Sequence, residues 1–387
     1  MDLGRYTGWR ALLNPIRCYY GFGFAVGILT VFGIVMVFSS SSVTMVAAGL
    51  SPWKQAVSQG MFALAGVVLF ILALTLPWRR LLRDKVIHIV MVAALALQFL
   101  TLTPLGIDVN GNKGWIGVGG FTFQPAELLK LVLCVTLPIE LLRARANRFQ
   151  PFWKRYGFAL GSYVAALGLV VLGRDLGTCI ILVIIGFVAL WACDFPTKYL
   201  AMAGVAALVG VGLLALTSSN RMRRIMATYS CTPGNTDDVC YQSVYAKYAM
   251  ASGGLLGVGI GNSREKWNYL PEAHNDFIYA IIGEETGFVG TVMVLALFVV
   301  IAWCLIVVAM QMRDRACSAS LLCFCVWLVG QALINMAVVL GILPVMGVPL
   351  PFVSAGGSSL IMCLGAAGVC MNMMKAQPQI AAAHQRA

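Results

Sequence analysis

The stretch Ala316–Met374, ACSASLLCFCVWLVGQALINMAVVLGILPVMGVPLPFVSAGGSSLIMCLGAAGVCMNMM, runs for 59 residues without one Asp, Glu, Lys, Arg or His. A helix needs roughly 20 mostly apolar residues to cross about 30 Å of hydrocarbon. The stretch therefore holds two spans, broken at the Pro- and Gly-rich Pro344–Gly357. Working towards the N-terminus, charge-free windows of spanning length recur at Tyr19–Trp53, Gln55–Trp78, Val86–Ile107, Tyr156–Gly173, Leu176–Cys193, Tyr199–Asn220 and Thr286–Met312. A tenth window, Gln124–Leu142, is apolar except for Glu127, Lys130 and Glu140. Composition agrees, with 60% hydrophobic and 11% charged residues and a mean hydropathy of +0.86. A soluble domain carries roughly 25% charged residues, so a water-covered surface, disorder, collagen and coiled coil are excluded. The expected fold is an all-α polytopic membrane protein with ten transmembrane helices, forming one integral-membrane domain over residues 1–387.

The net charge of +12 comes from 27 Lys and Arg against 15 Asp and Glu. With the N-terminus inside, seventeen of the basic residues fall on inner segments and only Lys54, Lys113 and Arg174 on short outer loops. Short loops rich in Lys and Arg stay in the cytoplasm, so both termini are expected there. The charge then needs no nucleic-acid partner. Acidic residues lean outwards: Asp108, Asp175, Glu272, Asp276, Glu284 and Glu285 lie on that side. Ten of twelve cysteines sit in or beside spans, where Cys behaves as a small hydrophobe. Cys231 and Cys240, in CTPGNTDDVC, are outside, where an oxidising compartment permits a disulfide. His88, His274 and His384 are too scattered for a zinc site.

One outer connection is long, residues 218–285 between spans 7 and 8, and long ordered loops are usually functional. It opens with Arg221, Arg223 and Arg224, either interfacial anchors or an anion site. It continues through SGGLLGVGIGNSREKW, whose glycines read as tight turns rather than a nucleotide loop, since no strand precedes them. It ends in LPEAHNDFIYAIIGEETGF, where Asn275 or Asp276 is expected to cap a helix. Glu284, eight residues on, would share the face of Asp276. Glu272, His274 and Asp276 crowd five residues in a charge-poor chain. Three more outer anomalies accompany them: the Glu127/Lys130 pair, spaced to meet on one helix face, Arg174 and Asp175 in GRDLGT, and PLPFVSAGGSS at Pro349–Ser359. Spacing alone does not separate an enzyme from a transporter.

At these residues the chain resembles the SEDS family (shape, elongation, division, sporulation). The resemblance covers nearly the whole chain and rests on VNGNKGWI, FQPAELLKL, RDLGT, SGGLLGVGIGNSREKW, LPEAHNDFIYAIIGEETGF and PLPFVSAGGSS, in that order. The SREK-to-LPEAH stretch is more similar to the division type than to the elongation type. Departures stand at Gly173-Arg174, where the family commonly has Gln-Pro, at Asn275, often Thr, and at Ala355, often aromatic.

The resemblance implies a peptidoglycan glycosyltransferase that polymerises lipid II, a disaccharide-pentapeptide on undecaprenyl pyrophosphate, at the outer face of the cytoplasmic membrane. It implies a class B penicillin-binding protein and other divisome proteins as partners, at the division septum. The family's essential aspartate falls on Asp276, its polar pair on Glu127 and Lys130, and its DLGT aspartate on Asp175. Glycosyl transfer needs the acceptor hydroxyl deprotonated as it attacks, and Asp276 is the candidate base. Stabilising pyrophosphate charge calls for cations: Arg224, Arg174 and Lys130 are candidates, with a divalent Mg or Mn ion as the one cofactor to consider. Glu272, His274, Trp115 and Gln242 complete the expected substrate site. The alternatives are a lipid II flippase, which would need polar groups through both leaflets, an elongation-type polymerase, or a scaffold that only recruits the transpeptidase.

Overall fold

The computed structural model describes residues 7–77, 83–109, 111–118, 121–147, 149–216, 219–230, 238–267 and 270–385. A helix lies on every expected window: α1 Pro15–Ala47, α2 Lys54–Thr75, α3 Asp84–Leu100, α4 Pro125–Ala146, α5 Phe152–Leu172, α6 Leu176–Ala192, α7 Thr197–Leu216, α10 Ile278–Gln311, the pair α11 Arg315–Cys325 and α12 Gln331–Val339, and α13 Gly357–Met374. Among the described residues, six helical segments are long and apolar enough to cross a membrane: α1, α2, α5, α10, the run Arg315–Val339 and α13. The chain is mainly helical, with a helical membrane fold. Local signals set the helix starts. Asn14 accepts from Ile16 N at 2.9 Å ahead of Pro15, and Asp314 accepts from Ala316 N at 2.9 Å. Such side-chain oxygens satisfy backbone donors that a helix start leaves without partners.

The all-α expectation is corrected by a three-stranded antiparallel sheet, β1 Gly106–Val109, β2 Asn112–Val118 and β3 Phe121–Phe123. Ile107 pairs with Trp115, and Gly117 with Thr122. Gly111 turns the first hairpin at φ +82°, and its N–H donates to Asp108 Oδ1 at 2.8 Å. The signal was Asn110-Gly111, between Val109 and Asn112, a two-residue hairpin cue.

The expected long loop holds regular structure of its own. It contains α8 Ser219–Ser230 and α9 Asp238–Ser252, and α10 already begins at Ile278. Inside α10, Gly287 breaks the helix at φ +67°, ψ −164°. The glycine loop fills the break with its backbone: Val258 N donates to Glu284 O at 3.0 Å, Gly259 N to Glu285 O at 3.0 Å, and Phe288 N to Gly254 O at 2.9 Å. These contacts leave no room for side chains. A Cβ on Gly257 would overlap Glu285 O, and its φ is +79°. Gly257→Ala is expected to lower the thermal midpoint of the detergent-solubilised protein, since it combines a clash with a left-handed backbone. An unchanged midpoint would mean that the break is soft.

Between α12 and α13 the chain turns back into the bundle. Its irregular backbone is satisfied by buried side chains, since an unpaired buried backbone group is costly. Gln331 Nε2 donates to Pro349 O (2.9 Å), Gln59 Nε2 to Ser354 O (3.2 Å) and Asn335 Nδ2 to Val348 O (2.7 Å). Gly33 of α1 lets Phe352 approach, because a Cβ there would meet its carbonyl oxygen.

Candidate active site

This inturned segment brings the scattered motifs together. Three successive carbonyls before α10 are anchored to it and to α12. Ala355 N donates to His274 O at 2.9 Å, Ser354 Oγ to Asn275 O at 2.8 Å, and Asn335 Nδ2 to Asp276 O at 2.8 Å. The Asp276 carboxyl itself accepts no hydrogen bond among the described residues. It lies so close to Gly347 that a Cβ there would stand 3.6 Å from Oδ2. Burial, with Glu272 and Asp175 adding negative charge, pushes its pKa up to about 7, and Arg224 partly offsets this. Burial also lowers the His274 pKa, while Glu272 opposes the shift.

Two sequence expectations fail here. Neither Asn275 nor Asp276 caps α10: Phe277 holds the cap position, and no side chain supplies a bond. Asn275 Nδ2 instead donates to Glu272 Oε2, and Glu272 is exposed at φ +57°. Because residue 276 precedes the helix, Glu284 does not share its face. Glu284 accepts from Ser263 Oγ at 2.5 Å and from Arg264 N at 2.8 Å.

Gly347 also lines a small pocket together with Gln124, Glu127, Lys130, Thr178 and Gln331. Lys130 Nζ pairs with Glu127 Oε1 at 2.9 Å, donates to Gln331 Oε1 at 2.8 Å and sits 5.1 Å over the Trp327 ring. A π-helical turn, Val326–Gly330, precedes Gln331, a distortion frequent at functional sites. Glu127 Oε2 and Asn335 Oδ1 are buried without a partner among the described residues. Asp175 is the N-cap of α6, accepting from Thr178 N (3.0 Å) and Oγ1 (2.8 Å) and from Gln124 Nε2 (3.2 Å).

Asp276, Glu272, His274, Asp175, Glu127 and Lys130 are thus gathered around one segment, with Arg224 near enough to act on Asp276. Arg174 is exposed at φ +63°, beside Gly173, whose carbonyl accepts from Lys113 N at 2.9 Å. Trp115 in β2 and Gln242 on α9 are half-buried, and neither hydrogen bonds to residues 272–276 among the described residues. Cys231 lies outside the described residues; Cys240 is disulfide-bonded, and the ten cysteines in or beside spans form no disulfide among the described residues. Sequence reasoning missed Gln331, Asn335 and Gln59, amides inside apolar windows whose polarity was the available signal.

Residues 22–379 match the family model described as cell cycle protein, FtsW, RodA and SpoVE. The chain is 32% identical over 380 residues to the protein named probable peptidoglycan glycosyltransferase FtsW of Mycobacterium tuberculosis, covering 98% of this chain and 71% of that one. It is 33% identical to stage V sporulation protein E of Bacillus subtilis, over 90% of this chain and 94% of that one. Among solved structures, the rod shape determining protein RodA of Thermus thermophilus superposes with a TM-score of 0.67 at 26% identity, covering 92% of this chain and 97% of that one. A chain from a peptidoglycan synthase complex, described as coordinating polymerization and crosslinking, superposes with a TM-score of 0.73 at 26% identity, over 93% and 98% of the two chains. With this model matched over nearly its whole length, the chain belongs to the FtsW/RodA/SpoVE family of cell cycle proteins, the SEDS family.

Proposed function

We propose that this chain is a peptidoglycan glycosyltransferase that polymerises lipid II at the outer face of the cytoplasmic membrane, in septal wall synthesis. All ten long helices or helix pairs cross the membrane, both termini are cytoplasmic, and residues 218–285 are outside. A class B penicillin-binding protein supplies transpeptidation beside it, within the division machinery. The relatives' names support the activity, and the neighbour in a synthase complex supports the partnership.

One observation carries the catalytic assignment. Asp276 is held by its backbone while its carboxyl, free of hydrogen bonds among the described residues, stands beside Gly347, a residue of the pocket lining, with its pKa raised to about 7. A general base works best when its pKa lies near the working pH. Asp276 takes the acceptor hydroxyl proton, while Arg224, Arg174 and Lys130 answer the charge of the pyrophosphate. Among the described residues no three His, Cys, Asp or Glu side chains are grouped to hold a resident Mg or Mn ion, so no step is routed through one.

The test is purified protein, with its partner, given labelled lipid II and resolved for glycan chains. The same assay yields a pH profile. The base is the carboxylate, so kcat should fall about tenfold per pH unit below the raised pKa of about 7. A flat kcat between pH 5 and 8 would remove Asp276 as the base.

A further inference from the structure

Among the described residues outside the pocket, the charged cluster buried most deeply is one the mechanism does not use. Lys266 and Glu285 form an ion pair at 3.1 Å with side chains 3% and 0% exposed. Lys266 Nζ also donates to Gly261 O at 2.5 Å and lies 3.4 Å from Ser39 Oγ. Ser39 Oγ in turn contacts Glu285 Oε1 at 2.6 Å and Oε2 at 2.7 Å. One ammonium therefore joins three elements: the glycine loop, α10 two residues before its break, and α1.

Burying such a pair is no strong source of stability, because desolvation consumes most of the attraction. What it fixes is register. Glu284 and Glu285 grip opposite sides of residues 261–266, through Ser263 and Arg264 on one side and Lys266 on the other. From Lys266 the chain runs ten residues to Asp276, with Leu270 N donating to Glu265 O at 2.9 Å and Leu270 buried. At its far end the segment is anchored through the carbonyls of residues 274–276. At its near end the Lys266 clamp is the ionic anchor.

We propose that Lys266 is a positioning residue for glycosyl transfer: its pair with Glu285, closed by Ser39, holds the helix break and so sets where Asp276 stands. The proposal rests on Asp276 being the base. A displacement of about 1 Å at a reacting group can cost roughly 10²-fold in rate. Ser39, Lys266 and Glu285 are not among the pocket-lining residues, so the loss of the clamp should appear in kcat rather than in KM.

The test uses the full-length chain with labelled lipid II and measures kcat, KM and the thermal midpoint for Lys266→Met, Glu285→Gln, Ser39→Ala and the exchange Lys266→Glu with Glu285→Lys. Expected is a kcat loss approaching about 10²-fold in Lys266→Met and Glu285→Gln at nearly unchanged KM. The exchanged pair should recover much of that kcat, and Ser39→Ala should fall between. Wild-type kcat in a folded Lys266→Met protein would overturn the proposal, as would equal losses in kcat and affinity. Should Lys266→Met fail to fold, wild-type kcat in Ser39→Ala overturns it equally. Asp276→Asn assayed alongside separates the two readings. Activity there brings down the base assignment, whereas an inactive Asp276→Asn beside a fully active Lys266→Met brings down the clamp alone.

Discussion

Asp276→Asn protein is expected to fold and insert, keep its transpeptidase partner, and make almost no glycan from lipid II. The change is isosteric and removes one property, the ability to take a proton. A positioned base is worth typically 10²–10⁴-fold, and a loss in that range is expected in kcat. A capping role would predict the opposite, because Asn caps a helix about as well as Asp. The structure sharpens this contrast, for the side chain at 276 caps nothing and its segment is held by carbonyl oxygens the substitution leaves in place. Thermal melting and copurification of the partner serve as controls. Substantial polymerisation at normal expression would end the assignment and move attention to Glu272.

The second large effect is expected at Glu127 and Lys130, and the two alanine variants should not be equal. Removing one member of a buried pair commonly costs 3–5 kcal/mol, because it strands the other charge. In Glu127→Ala, Lys130 keeps Gln331 Oε1 and the face of Trp327. In Lys130→Ala, Glu127 is left with no partner among the described residues, since Oε2 has none even in the intact protein. Lys130→Ala should therefore melt lower and polymerise less. Wild-type melting and activity in both variants would mean that the pair is solvated and idle.

Periodicity and charge made the helices readable because a span must be long and apolar, and a helix lies on each expected window. The hairpin beneath VNGNKGWI was overlooked because its strands are short and lie between spans, although Asn110-Gly111 signalled it. The Asp276 cap was misread for a physical reason. A polar residue before an apolar run suggests a cap, but Glu272 takes a left-handed turn and delays the helix to Ile278. That delay also moved Glu284 off the expected face. Lys266 and Glu285 could be seen only as surface charges of an outer loop, because nothing local reveals that α1 covers them. The convergence of residues 124–130, 175–178, 274–276 and 346–355 is a tertiary fact, produced by a segment folded back into the bundle.

The anchoring of residues 274–276 through carbonyl oxygens separates location from chemistry. Every residue type has that carbonyl, so whatever side chain stands at 276 is delivered to the same place. Substitutions there can alter the reaction without redrawing the scaffold, and substitutions at Ser354 or Asn335 can shift the scaffold without touching the carboxyl. Under selection the two can drift independently: the position is a property of the fold, while the charge is a property of one codon.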